Sequence, residues 1–110
     1  MVKFITYKKQ KYPLRISYYV LMMAQKESGV SIDDLDKDFE AQQLLLWYGL
    51  IAGAKMAETE VTLKKEDMVW VLDECYIDFQ KAMYGFAKSL IDVQAEAFNQ
   101  QEEKGEPKKK

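Results

Sequence analysis

The sequence has no histidine, one cysteine (Cys75), two prolines and five glycines in 110 residues. Each shortage closes off a class of function. Without histidine the chain lacks the usual general base near neutral pH and the commonest zinc ligand. A single cysteine allows neither an intrachain disulfide nor a thiolate zinc site. No glycine-rich loop is present to cradle a phosphate. Scarce glycine and proline, together with 13% aromatic residues, argue against a low-complexity or wholly disordered chain. No apolar run approaches the ~20 residues that cross a bilayer. The longest, Leu44 to Ala54, contains Gly49 and Gly53. Basic residues precede any long apolar stretch at the N-terminus, so no signal peptide is expected and the chain reads as cytosolic. What remains is about one domain of residues, 48% apolar and 31% charged, with a formal net charge of −2. The expectation is a non-enzymatic interaction module without cofactor or metal.

Along the chain, apolar and polar residues alternate from Val2 to Tyr7 and again from Tyr12 to Ile16, around Lys8-Lys9-Gln10-Lys11. This predicts a hairpin over residues 2–16 with a four-residue loop. Pro13, which has no N–H to donate, belongs on an edge or near a strand start. Ser17 is placed to cap a helix through Glu27, and Gly29 is placed to end it, with Val30 folding back on the last turn. Ser31 and Asp34 suggest a short helical turn that buries Ile32 and Leu35. The next helix is expected from about Asp38 to about Ala57. Its run Leu44-Leu45-Leu46-Trp47-Tyr48-Gly49-Leu50-Ile51 is apolar on nearly every face. That marks the central core element, with Leu46, Trp47, Leu50 and Ile51 inside. Thr62 reads as the cap of a third helix with Glu66 and Asp67 in its first turns.

From there no strong breaker appears before Gly105. Val69, Leu72, Tyr76, Phe79, Met83, Phe86, Leu90, Val93 and Ala97 are spaced alternately three and four apart, a seam of four heptads. A helix from 63 to about 101 would be ~58 Å long at 1.5 Å per residue, more than a small domain can cover. Either it bends near Gly85 and folds back, or its second half projects. Residues 102–110 carry no apolar side chain and are expected to form a disordered charged tail.

The candidate sites must be weighed against plainer readings. Asp34, Asp36 and Asp38 follow the opening of a calcium loop, but Phe39 and Leu45 stand where its glycine and closing glutamate belong. An acidic solvated loop accounts for them. Cys75 lies beside the seam with no histidine to activate it, so it reads as a buried thiol. Glu74 and Asp78 are four apart, with Asp67 and Asp73 nearby, and a solvated helix face explains them. Lys3, Lys8, Lys9, Lys11 and Arg15 form a basic N-terminal patch that suits phosphate contacts. Residues 27 to 40, however, carry six acids against Lys37 and would repel a long nucleic acid. The seam is the sharpest positive signal. Its N-terminal half is explained as a core face, whereas leaving Phe86, Leu90 and Val93 bare forgoes ~1.5 to 3 kcal/mol each. Tyr76, Phe79, Met83, Phe86, Leu90 and Val93 are therefore the expected partner-binding residues.

Four segments carry a resemblance: Ile16 to Gly29, with its Glu27-Ser28-Gly29 end; Ser31-Ile32-Asp33-Asp34-Leu35; Leu44-Leu45-Leu46-Trp47-Tyr48-Gly49-Leu50; and Leu63-Lys64-Lys65-Glu66-Asp67-Met68-Val69. Over about residues 14–73 the chain resembles the small tail assembly chaperones of long-tailed bacteriophages and prophages. The resemblance rests on turn chemistry and one apolar run. It implies a mostly helical protein in the host cell cytoplasm. Such a protein binds the tape measure protein and keeps it soluble while tail tube proteins assemble, and it is absent from the mature virion. It further implies self-association into a homo-oligomer, and a longer form made by frameshifting, for which an A-rich stretch encoding Lys108-Lys109-Lys110 would serve. The alternative is a small nucleic-acid-associated regulator that uses the basic hairpin. The expected architecture is mainly α: a small helical bundle with an N-terminal β-hairpin and a long C-terminal helix, residues 1–101 forming one domain.

Overall fold

Alternating side chains at the N-terminus form a two-stranded antiparallel ladder, β1 (Lys3–Tyr7) and β2 (Gln10–Leu14), with Tyr7 opposite Gln10 and Lys3 opposite Leu14. The computed structural model describes residues 2–104, and side chains as far as Ser89. The loop is two residues rather than four. Lys8 and Lys9 make the turn alone, at φ 52° and 66°. Two successive positive φ values are what the type I′ two-residue hairpin turn needs, and that turn matches the twist of the strands. Lysine adopts them at a cost, which the surroundings offset. The Lys8 N–H donates to a Glu74 carboxylate oxygen at 3.1 Å, and the Lys8 ammonium lies 5.5 Å from the centre of the Tyr7 ring. Pro13 faces Phe4. Counting outward from Tyr7 and Gln10, this is a non-hydrogen-bonded pair, so the missing N–H is not needed by the ladder. Ile5, Tyr7 and Leu14 point into the core, and Phe4 points out.

Helix α1 (Tyr18–Ser28) ends as its glycine dictates. Gly29 sits at φ 76° and donates its N–H to the Gln25 carbonyl at 2.8 Å. At the other end the expected cap bond is not made. Ser17 has the extended backbone of an N-cap, but its hydroxyl is buried with no partner among the described residues. A 3-10 turn (Ile32–Lys37) follows; it buries Leu35 but leaves Ile32 exposed. Asp38 caps α2 (Phe39–Met56) by accepting the Ala41 N–H at 2.9 Å.

Helix α2 is the central element, packed by α1, β2 and α3. Leu44, Leu45, Leu46 and Leu50 are buried as expected, whereas Trp47 and Ile51 are only half-buried at the edge of the core. Both lie on the line of the helix that ends at exposed Lys55, so their face is not fully covered. Gly49 and Gly53, one turn apart, form a track for the end of β2. The Arg15 N–H donates to the Gly49 carbonyl at 3.0 Å, and the Pro13 carbonyl rests where a side chain on Gly53 would be.

The chain enters its last helix through a second 3-10 turn (Lys65–Asp67), where Asp67 accepts the Lys64 N–H at 2.9 Å. Thr62 is not the cap, because that turn intervenes. Helix α3 (Met68–Lys104) is continuous except at Cys75, where φ −116° and ψ 24° mark a kink. The bend is therefore at Cys75, not Gly85, and the helix does not fold back. It runs three residues past the expected boundary at 101, and the rest of the expected tail, 105–110, lies outside the described residues. The fold is thus mainly helical with an N-terminal hairpin and a long C-terminal helix.

Candidate functional site

The titratable clusters resolve into structural ties. Asp34 accepts from the Ser31 hydroxyl at 3.4 Å and faces Lys37, Asp38 caps α2, and the Asp36 carbonyl accepts from the Gln42 amide at 2.6 Å. The acidic run therefore shapes the entry to α2. No group of three or more possible metal ligands converges among the described residues. Glu74 holds the hairpin turn, and the Cys75 thiol donates to the Thr6 carbonyl at 2.9 Å. Burial, reinforced by Glu74 and Asp78, pushes the Cys75 pKa up, so the group stays a thiol and serves as a donor. These two contacts seat β1 on α3 at the kink.

A polar tie joins α1, α2 and the second 3-10 turn. The Tyr48 hydroxyl donates to Glu27 at 2.5 Å, and the Lys65 ammonium pairs with the other Glu27 oxygen. Lys65 first, then Tyr48, lowers the Glu27 pKa, while the carboxylate pushes Tyr48 up to about 12. The bond favours protonated tyrosine, so the Tyr48 contribution to stability is complete below the ordinary tyrosine range and is lost as pH rises through about 12. The tie is solvent-exposed and its effect on stability is small. Ultraviolet titration should show a tyrosine ionising at about pH 12, and Glu27→Gln, which removes the carboxylate but not the burial, should lower that value.

The basic N-terminal residues do not converge. Lys8 and Lys9 are at the hairpin turn beside Glu74, while Lys3 and Arg15 are at its open end, where Lys3 approaches Gly85. Five strand residues, ~17 Å, separate the two groups.

The apolar seam is divided between two environments. Phe79 is fully buried under the body, so this expected partner-binding residue is core. Leu72 is buried with it, and Met83 and Phe86 are half-buried against the edge of the core. Tyr76 and Val69 are exposed, and with Phe39 of α2 they line an open groove of about 360 Å³. Leu90 and Val93 lie outside the described side chains. The buried line of α3 is Met68, Val71, Leu72, Cys75, Phe79 and Ala82, rotated from the expected seam because the hairpin covers the flank at Cys75.

This rotation leaves a second column bare. Trp70, Ile77 and Tyr84 are 64%, 70% and 70% exposed. A seam counted through Val69 and Leu72 passes beside them. Their own seven-residue spacing was the available signal. Val69, Trp70, Tyr76 and Ile77, joined by Phe39 at 81% exposure, give the N-terminal half of α3 a broad uncovered apolar face. Patches of this kind mark interaction surfaces. No helix is long and apolar enough to cross a membrane among the described residues. Comparison with known proteins returned no matching family model, curated protein or solved structure.

Proposed function

We propose that this chain is a non-enzymatic binding module that holds an apolar helical segment of another protein in the groove between α2 and α3. In the setting implied by the resemblance, it is a phage or prophage tail assembly chaperone. Its client would be the tape measure protein, kept soluble in the host cytoplasm while tail tube proteins assemble. The observation that carries the proposal is the open groove of Phe39, Val69 and Tyr76, floored by buried Leu72. Two rigid helices present large apolar side chains there, as in helix-in-groove recognition. Farther along α3, Met83 and Phe86 are half-buried against the edge of the core, and Leu90 and Val93 lie outside the described side chains.

The test is co-expression with a tape measure protein. The wild-type chain should keep the client in the soluble fraction and co-purify with it. The double variant Phe39→Glu with Tyr76→Glu should lose both properties at unchanged helicity, because neither side chain is buried. Retained co-purification by the folded double variant would place the client elsewhere.

A further inference from the structure

Trp70, Ile77 and Tyr84 stand seven residues apart and each is about two-thirds exposed; the buried line Met68, Leu72, Cys75, Phe79 and Ala82 keeps its three-and-four spacing across the Cys75 kink, so the three share the uncovered side of α3. Ile91 and Phe98 continue the same spacing in the sequence. The residues flanking this column differ in charge along the helix. Four positions after each column residue come Glu74, Lys81 and Lys88; three positions after come Asp73, Gln80 and Ala87. All of these but Gln80 are exposed, and Gln80 is half-buried.

From this pattern we infer that the Trp70–Ile77–Tyr84 column is a self-association surface, on which a second copy of the chain packs antiparallel about a two-fold axis at Ile77. In that arrangement Trp70 faces Tyr84 of the second copy, Ile77 faces its own equivalent, and Tyr84 faces Trp70. A two-fold axis brings like flank to like flank. Glu74 therefore meets Lys81 of the second copy and Lys81 meets Glu74, while on the other side Asp73 meets Gln80. Parallel pairing would instead bring opposite flanks together, setting Glu74 against Asp73 of the second copy and Lys81 against Gln80, acid against acid with no ion pair, which the charges oppose. Glu74 is already oriented, since its carboxylate accepts the Lys8 N–H while remaining exposed. Three side chains of this size offer roughly 400 to 500 Å² per copy. The total is close to the ~1,000 Å² lower limit of specific interfaces, so the dimer is weak and reversible.

Analytical ultracentrifugation of the full chain over a concentration series should show a monomer–dimer equilibrium. Ile77→Glu should raise its dissociation constant at least about tenfold, with circular dichroism unchanged. The direction of packing is read by disulfide formation. A mixture of Trp70→Cys chains and Tyr84→Cys chains should cross-link to a heterodimer, whereas neither variant alone should cross-link; native Cys75 is buried and does not compete. A wild-type chain that stays monomeric at every concentration, or a dimer indifferent to Ile77→Glu, overturns the inference. Cross-links formed by each single variant alone would show parallel packing and overturn it equally.

Discussion

Gly53→Ala should destabilise the protein by ~2 to 3 kcal/mol, even though alanine is by itself the better helix former. A Cβ on Gly53 would lie 2.3 Å from the Pro13 carbonyl oxygen, 2.5 Å from its carbon and 2.8 Å from the Leu14 nitrogen. All three are backbone atoms, so relief requires lifting β2 off α2. Lifting β2 also draws Leu14 out of the core and strains the bond from Arg15 to Gly49. Gly49→Ala is the control. Its Cβ meets the ends of the Leu14 and Ile16 side chains, at 2.7 and 3.2 Å, which can adjust. Thermal unfolding should fall by about 10 °C or more for Gly53→Ala and by a few degrees at most for Gly49→Ala. Equal shifts would mean that β2 does not rest on α2 as described.

Phe79→Ala should cost ~3 to 5 kcal/mol, a large share of the stability of a domain this size. Phe79 is fully buried, packed with the residues through which α3 meets α2 and β1. Tyr76→Ala, one turn away on the same seam, should change stability by about 1 kcal/mol or less, because Tyr76 is already nearly half in solvent in the folded chain whereas Phe79 is fully buried. Denaturant unfolding of the two variants separates core from surface along a seam whose spacing alone does not. A small loss for Phe79→Ala would return that residue to the partner-binding set.

Some features determined by neighbours in sequence are legible, though the Ser17 and Thr62 caps are not made. Gly29 closes α1, Asp38 opens α2, and the apolar run from Leu44 marks the central helix, because turn chemistry and apolar density act locally. Features determined by distant chain are not legible. Lys8 and Lys9 carry no turn signature; their conformation is supported by Glu74, 66 positions away from Lys8. The Cys75 kink likewise coincides with a contact to Thr6, from the other end of the chain. Heptad counting identified residues that share a face of α3, but which face is covered depends on where the hairpin lands. It lands beside Cys75, and this leaves Val69 and Tyr76 half in solvent and Trp70 and Ile77 bare. In the sequence the paired glycines of α2 only interrupt an apolar run, and in the fold they are the track for β2.

Binding as a function of salt tests the central claim most directly, because phosphate contacts weaken steeply as salt rises and apolar docking does not. The purified chain should bind a tape measure protein with an affinity that changes less than about threefold between 50 and 200 mM salt, and should show no comparable affinity for duplex DNA. Affinity for DNA that falls by orders of magnitude over that range, with no binding to the tape measure protein, would contradict the account and assign the function to the basic hairpin.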